Sequence, residues 1–410
     1  MGITNETVLR RVARVREVMR ARSLDALVVY AAPTSLVYGT VTSGNVRYLT
    51  NWAGKGVATV LVLSAAGEAV LITTSPLNRR RIELAEVWVT DIRQVAGVAE
   101  VLTDGGAVRN VVIEKIGGRG RVGLIGASEM TAGLYNGLTS QPSPFKFEEA
   151  DDILARLQFV KEPEEIELCR SAAKISDAML YSVMNGARAD RPWAHELMVE
   201  MEHTGRRLGA DFAWAWIATG PAPDWLRNTL WEAKRIVEHG DRVQAGTYVI
   251  YEGYWGTGQR IGVKGKPSSD LLRFYQCLCE VQDAGLRELR PGNPVVNVHK
   301  AMLRKIAECS PYSEKDDPFR YRPGHGLGMQ DSDPPGFDAF PQPGTWETTT
   351  ATDAAKVEET KILVEPGMVF ELHPNFSVPG LGFLAIGDEV VVTPSGPEVL
   401  TKFPRELYDL

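Results

Sequence analysis

Two of the six histidines stand in sequence contexts that can support acid–base chemistry. His325 lies in the segment GHGLG (324–328), where glycines on both sides let the side chain and the backbone approach a ligand closely. His373 lies in the apolar, strand-like run FELHPNF. Because an imidazole gains and loses a proton near neutral pH, it suits general acid and general base roles. We predict that His325 and His373 are catalytic residues.

A carboxylate and a guanidinium lie together in an earlier apolar segment. Glu252 belongs to the run YVIYEGYWG (248–256), so we expect its side chain to be buried and partnered. We predict that Glu252 orients substrate or water. Arg260 is either the ion-pair partner of Glu252 or a clamp for a substrate carboxylate, and it is a predicted substrate-binding residue. For Glu371 and Asp388 we expect salt bridges at the edge of a sheet.

Aromatic residues cluster in the second half of the chain. We predict that Trp214, Trp216 and Tyr254 line the substrate pocket, and an aromatic-lined cavity favours a small organic substrate, aromatic or cationic. Asp331 follows the GHGLG segment in a loop, where a lid or cap role at the substrate is the prediction.

Composition narrows the class of protein. The chain has 410 residues, of which 44% are hydrophobic, which suits a globular protein of about two domains. A net charge of −7 argues against partners such as nucleic acid or a membrane surface. Neither a signal peptide nor a membrane span is recognisable, so we predict a cytoplasmic location. The four cysteines are then expected to be reduced thiols.

The order of the elements indicates a boundary in the middle of the chain. A basic amphipathic helix over residues 6–22 is followed by apolar strands at ALVVY (26–30), VATVLVLS (57–64), EAVLIT (68–73) and VGLIG (122–126), an α/β pattern. A new helix begins at Pro163 with acidic residues in its first turn. We predict an N-terminal α/β domain over residues 1–157 and a second domain over residues 158–410.

Several segments resemble landmarks of the pita-bread superfamily of creatinase, aminopeptidase P and prolidase. They occur in the superfamily's order and are NVRYLTNW (45–52), DAGLRELRPG (283–292), GHGLG, a following diproline (334–335), EPGMVF (365–370) and AIGDEVVVT (385–393). The resemblance implies a pita-bread C-terminal domain of the α+β class, in which helices cover a curved antiparallel sheet. It also implies a homodimer, with Trp52 at the substrate-binding rim of the partner's site, and a catalytic role for His239 on an entering loop.

Metal-dependent members of the superfamily hold two ions with two Asp, one His and two Glu. The resemblance carries the His onto His325 and one Glu onto His373. The other Glu falls on Gly387, which has no side chain to offer. In the hairpin, the first Asp aligns with Glu252 and the second with Thr257. So few ligands remain that the resemblance favours the metal-independent, creatinase-like branch, with no metal ligand and no cofactor.

Three functions remain open at this point. The main prediction is a metal-independent hydrolase or lyase that cleaves a C–N or related bond of a small organic molecule. Here His325, His373 and His239 would act as acid and base, and Glu252 would orient the substrate. The first alternative is a metal-dependent Xaa-Pro aminopeptidase or prolidase with altered ligands, in which His325, His373 and Glu252 could form a mononuclear site. The second is a non-catalytic binding protein on the same fold.

Overall fold

The structure of the protein is a computed structural model that describes residues 2–33, 42–54, 56–98, 101–310, 323–335 and 362–410. The chain divides into two compact units, Met1–Gln158 and Phe159–Leu410. This division differs by one residue from the boundary predicted at 157/158. In the described part of the chain, no helix is both long and apolar enough to cross a bilayer.

The N-terminal unit is an α/β domain built on a six-stranded mixed sheet with the strand order β4-β3-β2-β1-β7-β8. Its strands are β1 (Ala26–Ala31), β2 (Thr59–Ser64), β3 (Ala69–Thr73), β4 (Asp91–Gln94), β5 (Gly97–Val98), β6 (Val101–Leu102), β7 (Gly120–Ile125) and β8 (Phe145–Glu149). Its α-helices are α1 (Asn5–Ala21), α2 (Ser43–Thr50), α3 (Pro76–Leu84), α4 (Gly105–Ile116), α5 (Ala132–Thr139) and α6 (Asp151–Gln158).

Helix α1 shows how the sequence pattern produces this unit. The hydroxyl of Thr4 accepts a hydrogen bond from the Thr7 amide and caps the helix. The apolar residues at helical spacing, Val8, Val12, Val15 and Met19, are all buried. Every residue of β1 is buried as well, as expected for a central strand covered on both faces.

The C-terminal unit combines antiparallel sheets with covering helices, which confirms the predicted fold class. Its helices are α7 (Pro163–Gly186), α8 (Ala194–Arg207), α9 (Ser269–Glu288) and α10 (Val296–Cys309). Its strands are β9 (Phe212–Gly220), β10 (Arg242–Tyr251), β11 (Tyr254–Val263), β12 (Gly324–Gly326), β13 (Val369–Leu372), β14 (Asn375–Val378), β15 (Gly382–Ala385), β16 (Asp388–Thr393), β17 (Gly396–Val399) and β18 (Tyr408–Asp409). They form sheets ordered β18-β11-β10-β9 and β12-β13-β16-β17, and a β14-β15 ribbon.

Helix α7 packs on the strand pair β10–β11. It begins at Pro163, and the side chains and backbones of Glu162 and Glu165 form a capping box. The helix lies so close to the sheet that a Cβ atom at Gly256 would meet the backbone carbon of Ala172 at 2.5 Å. Glycine is therefore required at position 256, where the helix backbone meets the strand.

Helices α9 and α10 pack against each other and carry a disulfide bond between Cys277 and Cys309. The prediction of four reduced thiols is therefore wrong for these two residues, and Cys169 and Cys279 are free. The two cysteines are 32 residues apart in sequence. Their pairing depends on the approach of the two helices, with a Cα–Cα distance of 5.9 Å, which the sequence pattern does not contain.

Candidate metal centre

Three strands bring the central side chains together by direct cross-strand pairing. His325 on β12 pairs with Glu371 on β13, and Glu371 pairs with Glu389 on β16. Residues paired directly across strands project from the same face of the sheet. His373 follows Glu371 by two positions, which places it on that face by the period of a strand. Strand β13 ends just before His373, which is followed directly by Pro374.

The side chains of His325, Glu371 and His373 form a compact group of possible metal ligands. One ligand atom from each of them lies within 4.8 Å of the others. The Nε2 atom of His325 is 3.3 Å from Oε2 of Glu371, and the two imidazole centroids are 5.0 Å apart. His325 and Glu371 are buried and His373 is half-buried, so the group is open on the side of His373.

Hydrogen bonds fix the orientation of this group. The Nδ1 atom of His325 lies 3.0 Å from the carbonyl oxygen of Gly326, which can only accept, so Nδ1 donates and Nε2 faces Glu371. The Oε1 atom of Glu371 accepts from the Thr257 hydroxyl at 3.1 Å and from the Gln259 amide at 3.3 Å. Burial alone would raise the pKa of Glu371. His373, His325 and the Thr257 hydrogen bond outweigh burial, and the pKa is lowered.

Glu371 is the site residue that the sequence prediction missed, because we expected a salt bridge at a sheet edge. The available signal was its spacing from His373: two residues apart on a strand, both side chains must face the same side. Asp388, the other residue that we expected to form a salt bridge, does form an ion pair, and its partner is Arg260.

The structure brings together His325 and His373 of the four predicted catalytic residues, and it places the other two elsewhere. Glu252 is exposed in the two-residue turn between β10 and β11, with a left-handed φ of 46°. It is therefore not a buried strand residue. His239 is also exposed, in the turn that precedes β10, and its ring covers Gly265, which follows β11. Neither joins the group of possible ligands.

Two polar residues that we predicted to bind substrate make their hydrogen bonds to other residues of the protein. Arg260 is buried, and its guanidinium donates to Asp388 and to the carbonyls of Gln259, Gly387, Phe403 and Pro404. It thus has no group left for a substrate carboxylate. The hydroxyl of Tyr254 donates to Glu165 at 2.8 Å, and Tyr254 is fully buried.

Two further residues were predicted to bind substrate, Trp52 and Asp331. Trp52 is 2% exposed in the N-terminal unit, where its indole N–H donates to the Thr59 hydroxyl at 3.3 Å. A buried indole does not form a rim. Asp331 is half-buried in the turn that follows β12, as expected for a loop residue near His325.

Trp214 and Trp216 lie on the face of the β9–β10–β11 sheet that carries Thr257 and Gln259. Trp216 pairs with Gly246, which in turn pairs with Gln259, the residue that holds Glu371. The indole of Trp216 lies directly over Gly246, where a Cβ atom would collide with it. Trp214 stacks on Tyr248 with a centroid distance of 5.3 Å. These aromatic rings therefore share a sheet face with the two residues that hydrogen-bond to Glu371.

The donor set fits a divalent metal ion. One ligand atom from each of two imidazoles and a carboxylate lies within 4.8 Å of the others, and this combination of donors is typical of zinc and of other first-row metals. The position that the superfamily uses for its last Glu is confined. A Cβ atom at Gly387 would lie 3.0 Å from Oε1 of Glu371 and 3.0 Å from the side chain of Gln259. Glu371 thus occupies the space beside Gly387.

Comparison with known proteins agrees with this architecture. Residues 11–160 match the creatinase/prolidase N-terminal domain, and residues 167–394 match metallopeptidase family M24. The chain belongs to metallopeptidase family M24.

Individual relatives carry peptidase names. An uncharacterized peptidase of Bacillus subtilis, YqhT, is 27% identical over 89% of this chain and 93% of its own length. A Xaa-Pro dipeptidase of Pyrococcus furiosus is 26% identical over 64% of this chain and 68% of its own length. A solved Xaa-Pro dipeptidase from Bacillus anthracis shares the fold, with a TM-score of 0.75 at 22% identity over 98% of this chain and all of that chain.

These findings contradict the prediction of a metal-independent hydrolase or lyase, and they do not support the creatinase-like branch. The relatives are named as peptidases and Xaa-Pro dipeptidases of a metallopeptidase family, and a set of possible ligands is present. The prediction failed because it counted ligands only at the positions named by the superfamily motifs. Glu371 lies outside those positions, and the pairing of β12 with β13 brings it to His325.

Proposed function

We propose that this protein is a metal-dependent hydrolase of the aminopeptidase P type that cleaves the amide bond of a small dipeptide-like substrate, with Xaa-Pro dipeptides as the first class to test. The observation that carries the proposal is the convergence of His325, Glu371 and His373 within 4.8 Å. Membership in family M24 and the Xaa-Pro dipeptidase relatives support the substrate class.

In this proposal the chain holds a divalent ion through Nε2 of His325, an oxygen of Glu371 and a ring nitrogen of His373. The bound ion would supply Lewis-acid polarisation of the scissile carbonyl and a water of lowered pKa. Substrate approaches from the side of His373, because that ligand is half-buried while the other two are buried.

The neighbouring side chains define what can bind. The half-buried Trp214 offers flat apolar surface on the face of the sheet that carries Thr257, which suits a ring or an apolar side chain, while Trp216 is buried against Gly246. Thr257 and Gln259 hold Glu371, and they leave no carboxylate on that part of the hairpin to repel an anionic substrate. The homodimer and the cytoplasmic location remain part of the proposal, and light scattering tests the first of them.

The direct test measures hydrolysis of Gly-Pro, Leu-Pro and Met-Pro by protein purified without chelators and then supplied with Zn²⁺, Mn²⁺ or Co²⁺. We expect turnover that a chelator abolishes and the metal restores. His325→Ala and His373→Ala should each lower turnover at least about a hundredfold, the scale of a lost catalytic group. His203→Ala is the matched control, since that histidine is exposed on α8. Turnover that survives complete metal removal contradicts the proposal.

A further inference from the structure

We propose that this chain binds a single metal ion rather than a pair, and that Thr257 and Gln259 are positioning residues that fix Glu371 as a ligand of that ion. The inference rests on the proposed function for the presence of a metal. It goes beyond it in the number of ions and in the roles of two hairpin residues.

The two oxygens of Glu371 have different surroundings. Oε1 accepts both hydrogen bonds from β11, from Thr257 at 3.1 Å and from Gln259 at 3.3 Å. Oε2 is the atom that faces Nε2 of His325 at 3.3 Å. One oxygen is thus held by the hairpin, and the other is directed at His325. A carboxylate fixed in this way binds one ion through one oxygen and does not bridge two.

The hairpin itself offers no further ligand on this face. The residues of β10 and β11 that face the group are, by register, Gln244, Gly246, Tyr248, Thr257, Gln259 and Ile261. The space above Gly246 is filled by the Trp216 indole, and Gln244 is bonded to the backbone of Ala385. None of the six side chains is a carboxylate.

Strand β16, which pairs with β13 on its other side, adds no further ligand to the group. Gly387 has no side chain, and Glu389, the remaining carboxylate on this face, does not join the group whose ligand atoms lie within 4.8 Å of one another. One carboxylate and two neutral imidazoles suit one divalent ion. In the described part of the chain, Glu389 is the one carboxylate left on this face for a second ion, and one carboxylate alone is a poor ligand set for a divalent ion. The donor set favours Zn²⁺ over the harder cations.

Thr257 and Gln259 act through Glu371 and do not touch the ion. If their hydrogen bonds are lost, the buried carboxylate can rotate away from the histidines, and the loss of such outer partners typically costs about 10–100-fold in metal affinity. The effect on zinc affinity should therefore exceed any effect on folding.

The number of zinc ions bound by the full-length protein and its zinc affinity test the inference without a measurement of turnover. Elemental analysis gives the number of ions per chain, and competition with a chromophoric chelator gives the affinity of Thr257→Val, Gln259→Met and Thr257→Ser. The matched control is Thr247→Val, a buried threonine of the same hairpin whose hydroxyl bonds to Ser176 on the opposite face. Thermal denaturation shows whether each variant folds. If Thr257→Val does not fold, the zinc affinity of Gln259→Met tests the inference.

We expect one zinc per chain, about 10–100-fold weaker binding in Thr257→Val and Gln259→Met, and near-wild-type binding in Thr257→Ser and Thr247→Val. Two ions per chain at saturation, no zinc binding, or wild-type affinity in both Thr257→Val and Gln259→Met would overturn the inference. If the single ion and the affinity pattern are found while no dipeptide is cleaved, the inference stands and the substrate class of the proposed function fails.

Discussion

Arg260 on β11 and Asp388 on β16 form a buried ion pair, with Nη2 2.6 Å from Oδ1 and both side chains 5% exposed or less. The hydroxyl of Thr401 donates to the same carboxylate oxygen at 2.6 Å. The pair joins the hairpin to the strand that follows Gly387, because the guanidinium also donates to the carbonyl of Gly387.

We expect Arg260→Met to lower the free energy of unfolding by about 3–5 kcal/mol, the usual cost of leaving one charge of a buried pair unpaired. Equilibrium unfolding in urea measures the change. The partner substitution Asp388→Asn should also destabilise the protein, since it too leaves a buried charge alone. Wild-type stability in Arg260→Met would mean that the pair is not formed.

Arg242, at the start of β10, presents the opposite case. It is 2% exposed, and its Nε, Nη1 and Nη2 atoms have no hydrogen-bond partner in the described part of the chain. Burial lowers the pKa of Arg242 to about 10. Replacing even a buried ion pair by apolar side chains is often neutral or stabilising by about 1–4 kcal/mol. Because the side chain of Arg242 has no hydrogen-bond partner among the described residues whose loss would cost stability, we expect Arg242→Met to unfold at equal or higher urea concentration. A loss of stability as large as that in Arg260→Met would contradict this expectation.

Glu389 makes the stability of the protein depend on pH. Its side chain is fully buried, and burial together with the nearby Glu371 raises its pKa well above 4.5. The folded state therefore keeps a proton that the unfolded state releases above about pH 4.5, so this residue lowers stability as pH rises from there by about 1.4 kcal/mol per pH unit until its folded pKa is reached.

Glu389→Gln removes this proton linkage. In chelator-treated protein, we expect the difference in unfolding free energy between Glu389→Gln and wild type to move in favour of the variant between pH 4.5 and pH 8. Urea unfolding at several pH values in this window measures it. Parallel stability curves for the two proteins would show that Glu389 does not titrate differently on folding.

The disulfide between Cys277 and Cys309 closes a loop of 32 residues across α9 and α10. The chain-entropy estimate for such a loop is about 3–4 kcal/mol. We expect the double substitution Cys277→Ser, Cys309→Ser, or a reductant, to lower the melting temperature in calorimetry. Cys279→Ser is the control, because Cys279 lies on the same helix as a free thiol. Alkylation of all four cysteines in unfolded, unreduced protein would show that the bond is absent.

The sequence alone determined the layout of the chain. The apolar runs predicted β1, β2, β3 and β7 of the N-terminal sheet, though not its outer strands β4 and β8, and Pro163 marked the start of α7, because these signals are local and recur within a few residues. The glycines around His325 and the motif that contains His373 identified both histidines of the site, and the ring distance of 5.0 Å places them together.

Only the tertiary structure decided which carboxylate joins these histidines. Glu371 reaches His325 and Thr257 through strand pairing and sheet packing across 46 and 114 residues of chain. The hairpin register puts Glu252 in an exposed turn, and it leaves Gly246 beneath Trp216. A cross-strand neighbour lies about 5 Å away whatever its distance in sequence, and a shift of one residue would turn each side chain to the opposite face. The local spacing of Glu371 and His373 can place their side chains on one face, but the approach of Glu371 to His325 and Thr257 depends on the register of the strands, which no local pattern of residues encodes.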